Sequence, residues 1–194
     1  LFVIDIQTGK VIAKKEFDPS ATAAPTTDPS TIAYSAANPE RSMHFAFAAT
    51  PAVYDLDFDG YADVVYAADV GGNIWKWVIK DIAYDSVNSA TTDYDQNSNW
   101  DFSLFFKAPS WLNTSTGLRW WKSFFYAPTA VLKNNKLWVA LGIGERANLP
   151  WTSSSTTTLD NNRFYSVLDN DPLDATSVAA PLTETNLLDV TSLT

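Results

Sequence analysis

Short runs of β-branched and aromatic residues alternate along the chain with segments rich in Gly, Asn and Ser. Such runs favour strands, because branched and aromatic side chains pack well on a pleated surface. Residues 7–10, 70–73 and 133–136 contain the Gly or Asn residues that tight hairpin turns require. The pattern predicts antiparallel meanders, with strands at residues 1–6, 52–56, 63–68, 73–80, 102–107, 124–133, 136–143 and 163–168.

Three segments depart from the strand pattern. Residues 19–39 and 152–162 are rich in Ser, Thr, Ala and Pro, and we expect them to be exposed loop insertions. One short helix is predicted over residues 183–190, where Thr183 would cap the first turn. Its packing side chains would be Leu187, Leu188 and Val190.

An internal repeat groups the predicted strands. The segments Phe47-Ala-Ala-Thr-Pro-Ala-Val-Tyr54 and Phe124-Phe-Tyr-Ala-Pro-Thr-Ala-Val131 align, so that Pro51 and Pro128 coincide. Each segment precedes a loop, a second strand that ends in a turn, and an aromatic third strand, and residues 1–9 resemble the third strand of an earlier copy. Repeated antiparallel meanders of this kind are typical of β-propeller blades.

The length of the chain limits the number of blades. At roughly 40 to 50 residues per blade, it would supply about three or four blades, whereas closed propellers have roughly four to eight. We therefore expect an all-β fold in which residues 1–194 are a portion of a single β-propeller domain within a larger ring. A β-sandwich with two similar hairpins is the alternative.

Composition narrows the classes of function. The 194 residues are 46% apolar and 14% aromatic, which is enough to form a core, and the net charge of −9 argues against nucleic acid as a partner. No apolar stretch reaches the roughly 20 residues that a membrane helix needs. Absence of cysteine excludes disulfides and thiolate metal sites. The sole histidine, His44, has no second His or Cys with which to build a transition-metal site or a hydrolytic triad.

One motif carries recognisable chemistry. Residues 55–63, Asp-Leu-Asp-Phe-Asp-Gly-Tyr-Ala-Asp, match the opening of a calcium-binding loop with a carboxylate at the ninth position. Gly60 permits the sharp bend that lets alternate ligands converge. Oxygen-only coordination selects a hard cation, so we predict Ca²⁺ bound by Asp55, Asp57, Asp59, the Tyr61 carbonyl and Asp63. Position 12 of the helical version of this motif is a Glu, but here it is Tyr66 in a predicted strand, so the loop is expected to join two strands.

A calcium loop between the first two strands of a blade is similar to those of integrin α-subunit propellers and related FG-GAP repeats. A more extensive resemblance is to the C-terminal propeller of the PilY-type type IV pilus tip-associated adhesin family. It spans about residues 50–191 and is carried by residues 55–63, 65–76, 127–128, 141–146, 162–169 and 186–191. Lys76 stands where the family usually has Arg after the Trp, and Ile143 where it usually has Thr.

The resemblance implies a non-catalytic, calcium-binding protein. It implies the same ligand set, an extracellular position at the pilus tip or outer membrane of a Gram-negative bacterium, and roles in pilus assembly and adhesion. The implied partners are type IV pilus (minor pilin) components, a host or surface receptor, and the remaining blades of the same propeller. An integrin-like calcium propeller unrelated to pili stays open as an alternative.

Other motifs favour structural interpretations. Asp5-Ile-Gln-Thr-Gly9-Lys resembles a blade-end repeat of quinoprotein dehydrogenases, which leaves a propeller enzyme as a further alternative, but a simple hairpin turn explains the motif. The carboxylate pairs at 93 and 95 and at 169 and 171 are assigned to solvated loops. Most tryptophans are expected in the core, and Trp111 and Trp151 are the candidates for sugar stacking.

Overall fold

The computed structural model describes residues 1–4, 6–18, 34–79, 100–112, 114–115, 117, 119–144, 162–174 and 180–190. Within these ranges the fold is all-β, with two short 3₁₀ helices, Pro39–Ser42 and Glu184–Asn186, and no α-helix. No helix among them is long and apolar enough to cross a membrane. The strands are β1 (Phe2–Ile4), β2 (Val11–Lys14), β3 (Ala52–Tyr54), β4 (Val64–Ala68), β5 (Asn73–Val78), β6 (Phe102–Lys107), β7 (Ser110–Leu112), β8 (Arg119–Trp121), β9 (Thr129–Lys133), β10 (Lys136–Gly142), β11 (Phe164–Asp169) and β12 (Leu182–Thr183).

The largest sheet has five strands in the order β12-β6-β5-β4-β3. Strands β3 to β6 form an antiparallel meander, and β12 adds to the edge of β6 in parallel. The turn between β4 and β5 needs Gly72, because its φ is 82° and a Cβ there would lie 2.7 Å from the Lys122 carbonyl oxygen.

A second meander has the order β11-β10-β9. Its first turn places Asn134 and Asn135 at φ 54° and 59°, the pair of positive values that a type I′ hairpin requires. Two further antiparallel pairs, β1 with β2 and β7 with β8, complete the described sheets. The two longer meanders confirm the internal repeat, because β3, β4 and β5 correspond in order to β9, β10 and β11.

The five-stranded sheet is buried on both faces. One face packs, through residues such as Tyr66 and Ile74, against Leu137 and Val139 of the three-stranded sheet. The other face packs through Val65, Trp75 and Trp77 against Ala13, with Leu1 and Val3 at the edge of that cluster. The β1–β2, five-stranded and three-stranded sheets therefore stack face to face in chain order. None closes into a barrel, and the arrangement is consistent with part of a propeller; a two-layer sandwich would have only one such core.

The predicted helix over residues 183–190 is wrong. Only Glu184–Asn186 forms a 3₁₀ turn, in which Asn186 Oδ1 accepts the Thr183 backbone N–H at 2.8 Å. The backbone is extended again at Leu187, with φ −106° and ψ 152°, so no helical face forms. Leu187 contacts the core, whereas Leu188 and Val190 are exposed.

Strand boundaries also differ in places. The predicted strand 124–133 begins at Thr129, because Phe124 is buried beside the β4–β5 turn and its N–H donates to the Asp69 carbonyl at 3.3 Å. Strands β2, β7, β8 and β12 were not predicted. Of the two predicted loop insertions, residues 19–33 and 152–161 lie outside the described residues, and Pro39 is buried at the start of a 3₁₀ helix rather than exposed.

Candidate metal centre

The acidic loop joins β3 to β4, as the sequence predicted. Its base is closed by the antiparallel pairing of Tyr54 with Val64 and by the Asp63 N–H, which donates to the Tyr54 carbonyl at 2.8 Å. On the other side, the Asp63 carbonyl accepts the Ile79 N–H at 2.7 Å. Asp63 is therefore held by the sheet, while the residues before it project from the sheet edge.

The aspartates shape the loop by accepting backbone N–H groups. Asp55 accepts two, from Phe58 at 2.7 Å and from Gly60 at 2.9 Å, and Asp57 accepts that of Asp59 at 3.1 Å. These bonds satisfy loop donors that no strand partner reaches. The chain reverses at two positions with positive φ, Phe58 at 65° and Gly60 at 95°.

Asp63 and Asp59 complete the hydrogen bonding. Asp63 Oδ2 accepts the Leu56 N–H at 2.5 Å, which ties the first residues of the loop to its last carboxylate. Asp59 Oδ1 accepts the Tyr61 N–H at 2.8 Å. Each carboxylate keeps lone pairs that are not used by these bonds, since an ionised carboxylate has about four acceptor positions.

Three of the predicted ligands converge. Asp55, Asp57 and Asp63 each offer one carboxylate oxygen, and these oxygens lie within 4.8 Å of one another. Asp59 does not join this group, and the Tyr61 side chain points into solvent. Among the described residues, the cluster is one that could hold a metal ion. Its all-oxygen donor set suits a hard cation such as Ca²⁺.

The surroundings of Asp57 oppose its ionisation. The hydrogen bond from the Asp59 N–H lowers the pKa of Asp57 and is the largest single influence on it. Desolvation and the negative charges of Asp59, Asp63 and Asp55 together outweigh that bond, so the pKa of Asp57 is raised. Carboxylates that repel one another in this way are stabilised by a bound cation.

The carboxylate at 169 is not in a solvated loop, and that prediction is wrong. Asp169 is buried at the end of β11, where its Oδ2 lies 2.7 Å from Lys76 Nζ and accepts the Tyr66 hydroxyl at 2.6 Å. Its Oδ1 accepts the Asp171 N–H at 3.1 Å. These contacts give Asp169 a structural role between two sheets and no open side toward a substrate.

Asp69, which the sequence interpretation did not single out, is fully buried. Its carboxylate accepts the Gly71 N–H at 2.8 Å, the Asn73 N–H at 3.1 Å and the Trp75 indole N–H at 2.8 Å. Burial raises the pKa of Asp69, and these donors oppose that effect. The sequence signal for this buried carboxylate was the spacing in residues 69–75, Asp-Val-Gly-Gly-Asn-Ile-Trp. That spacing brings the Trp75 indole N–H to the Asp69 carboxylate at the β4–β5 turn.

The other residues that the sequence analysis considered have structural positions wherever the structure describes them. Gly9, with φ 70°, lies in the turn between β1 and β2, as the hairpin interpretation predicts, and Asp5 lies outside the described residues. Burial and the charge of Lys107 lower the pKa of His44, whose ring contacts Phe17. The core assignment is confirmed for Trp75, Trp77 and Trp100 and is wrong for Trp120 and Trp138, which are exposed. Trp111 pairs with Trp120 across β7 and β8, and Trp151, like Asp93 and Asp95, lies outside the described residues.

Fold and site together define an all-β protein of stacked antiparallel sheets with an acidic loop at a sheet edge. The chain is similar in structure to the crystal structure of the Pseudomonas aeruginosa PilY1 C-terminal domain, with a TM-score of 0.50 and 21% sequence identity. The match covers 96% of this chain and 34% of that one, so the chain spans about a third of the domain that it resembles. At this identity the likeness concerns the fold. No family model matches the chain, and no curated protein matches it.

Proposed function

We propose that this chain is a calcium-binding portion of a single β-propeller domain in a surface-exposed, type IV pilus-associated adhesin or biogenesis factor of a Gram-negative bacterium. The convergence of Asp55, Asp57 and Asp63 is the observation that carries the metal assignment. The fold likeness to the PilY1 C-terminal domain supports the pilus assignment, together with the motif resemblance in the sequence. The proposed role is binding, without catalysis.

Calcium would act by ordering the loop. Asp59 and the Tyr61 carbonyl complete the ligand set in this proposal, so that the segment from Asp55 to Asp63 closes around the ion. A ligand that binds only the folded state stabilises it by RT ln(1 + [L]/Kd), about 2.7 kcal/mol at a hundredfold excess over Kd. Extracellular calcium sites bind in roughly the 10⁻⁴ to 10⁻³ M range, so adhesion or pilus assembly would respond to environmental calcium.

The metal assignment is tested by thermal unfolding with and without Ca²⁺. We expect saturating Ca²⁺ to raise the Tm by about 5 to 10 °C, given about 2 to 4 °C per kcal/mol for a chain of this size. Asp57→Asn should abolish most of that rise. Glu16→Gln is the matched control, because it removes one negative charge from an exposed side chain outside the loop. An equal rise in both variants would place the calcium site elsewhere.

The pilus assignment needs a test in the bacterium that produces the protein. Replacing the chromosomal copy with the Asp57→Asn form should alter pilus number, counted by electron microscopy, or surface adhesion, and chelation of Ca²⁺ should reproduce the change in the wild type. Unaltered piliation and adhesion in a strain that lacks the protein entirely would favour the integrin-like module unrelated to pili.

A further inference from the structure

A cavity of about 380 Å³ lies beside the beginning of β6. Its walls come from three parts of the chain, which are Lys15 directly after β2, residues 34–40 and residues 100–103. Among the described strands, β12 pairs only with the last two residues of β6, on the side away from β5. The first part of β6 therefore has no strand neighbour on that side.

Tyr34 connects the cavity to this uncovered edge of the sheet. Its hydroxyl oxygen accepts the Leu104 N–H at 3.2 Å, in the place of a strand partner. Burial raises the pKa of Tyr34, the Leu104 N–H opposes that effect, and the charge of Glu40 adds to it. The hydroxyl group is therefore protonated at neutral pH. It keeps a hydrogen that it can donate, because accepting the Leu104 bond does not use it.

Glu40 supplies the opposite hydrogen-bonding property. Its Oε1 lies 2.8 Å from Lys15 Nζ, and both side chains are mostly buried. An ionised carboxylate has about four acceptor positions, so this contact leaves others for a ligand. The charge of Glu40 acts on Tyr34, yet no hydrogen bond joins these two side chains in the described part of the chain. A ligand hydroxyl group between them would accept from Tyr34 and donate to Glu40.

The charges around the cavity favour a neutral ligand. Lys15 and Glu40 neutralise each other, and the Lys15 ammonium group also lies 5.5 Å from the centre of the Phe102 ring. An anion in the cavity would be repelled by Glu40 and by Asp101, which also lines it. A cation would be repelled by Lys15 while it competed for the same carboxylate.

We propose that this cavity binds one neutral sugar residue, with a sugar hydroxyl group bridging the Tyr34 hydroxyl and the Glu40 carboxylate. Sugar hydroxyl groups both donate and accept, as that position requires. The apolar C–H groups of the ring match Trp100 and Phe102, which also line the cavity. The volume is near the lower end of the roughly 300 to 1,000 Å³ of small-molecule pockets, which suits a single ring. The inference goes beyond the proposed function, since no residue of the cavity belongs to the acidic loop.

The ligand class is tested by saturation-transfer difference NMR on the full-length natural protein, with glucose, galactose, mannose and N-acetylglucosamine as neutral probes. At about 10 mM these probes reveal the millimolar affinity expected for a ligand of about a dozen non-hydrogen atoms. Glucuronate and glucosamine carry a negative and a positive charge on the same kind of ring. We expect at least one neutral sugar to bind, and to bind more tightly than either charged sugar. If no neutral sugar binds, or if a charged sugar binds more tightly, the inference is overturned.

Two variants locate the bound sugar. Ala37→Trp places a large side chain at an exposed position of the cavity wall, and it should abolish binding because it fills the space. Thr114→Trp, at an exposed position outside the cavity, is its control. Tyr34→Phe removes only the hydroxyl group, and it should weaken binding about three- to tenfold, the effect of one lost hydrogen bond. Tyr126→Phe, at an exposed position, is the matched control.

Far-UV circular dichroism verifies that each variant is folded. If Tyr34→Phe does not fold, Ala37→Trp still decides the question, because it removes no contact of the wild-type protein that the cavity needs. Unchanged sugar binding in Ala37→Trp would overturn the inference. Neither variant alters the acidic loop, so a negative result here is distinguishable from failure of the calcium assignment.

Discussion

Lys76 and Asp169 form a buried ion pair that joins two neighbouring sheets. Lys76 Nζ, in β5, lies 2.7 Å from Asp169 Oδ2 at the end of β11. The same ammonium group donates to the carbonyl oxygens of Asp171 at 2.6 Å and Asp174 at 2.8 Å. Burial lowers the pKa of Lys76, and the charge of Asp169 opposes that effect. The pair therefore fastens the segment after β11 to the middle of the five-stranded sheet.

Lys76→Met should destabilise the protein by about 3 to 5 kcal/mol, because the buried Asp169 carboxyl group would lose its cationic partner. Urea unfolding measures the change. The double variant Lys76→Met/Asp169→Leu should lose less than the sum of the two single variants, since it leaves no unpaired charge. Lys14→Met, which breaks an exposed pair with Glu16, should cost only about 0.2 to 1 kcal/mol. If Lys76→Met lowered the free energy of unfolding by as little as Lys14→Met, that result would contradict a buried ion pair.

Two buried tyrosines should make the protein sensitive to alkaline pH. Burial raises the pKa of Tyr66 and of Tyr165, and their carboxylate partners, Asp169 and Glu184, raise each further. In the unfolded chain both ionise near 10.0. Because the folded-state pKa is the higher one, their contribution to stability is complete below pH 10 and is lost as the pH rises above it.

The free energy of unfolding should therefore fall above about pH 10, by about 1.4 kcal/mol per pH unit for each tyrosine. Urea unfolding at a series of alkaline pH values measures this slope. Tyr66→Phe should reduce this slope by the contribution of one tyrosine. Tyr126→Phe, at an exposed position, is the control and should leave the slope unchanged. A slope that is the same in all three proteins would show that Tyr66 ionises in the folded state.

The sequence predicted eight of the twelve described strands, because the signals for those strands are local. The aromatic and β-branched residues Ile74, Trp75 and Trp77 define β5 within a few positions. The Asn-Asn pair after β9 defines a hairpin turn in the same local way. Asp169 was misassigned because its surroundings, Asp-Asn-Asp-Pro, are typical of a solvated turn, while its partner Lys76 is 93 residues away. Convergence of Asp55, Asp57 and Asp63 could be predicted because the spacing of a short loop determines it. The short edge strand β12 could not, since it depends on where β6 lies.

Phe58 should be replaceable with a gain in stability. Its φ of 65° is unfavourable for a bulky side chain, and the ring is 81% exposed, so little packing offsets the strain. Phe58→Asn should raise the free energy of unfolding by about 1 kcal/mol, because Asn tolerates this conformation. The measurement is urea unfolding without Ca²⁺. Tyr61→Asn is the control, an exposed aromatic residue of the same loop whose φ is not positive. An equal effect in both would exclude strain as the cause.

Asp59 belongs to the ligand set that the spacing predicts, but it is not part of the carboxylate cluster that the folded loop forms. Asp59→Asn keeps an oxygen that can accept the Tyr61 N–H and removes only the charge. If Asp59 binds the ion directly, its loss should weaken Ca²⁺ or Tb³⁺ binding by more than the roughly 10- to 100-fold that loss of an outer-shell partner costs. Calcium-competed terbium luminescence measures both affinities, with Asp57→Asn as the reference for a ligand and Glu16→Gln as the control for net charge. If Asp59→Asn weakened binding by only about 10- to 100-fold, Asp59 would act through the loop and not by contact with the ion. The carboxylate ligands would then be Asp55, Asp57 and Asp63.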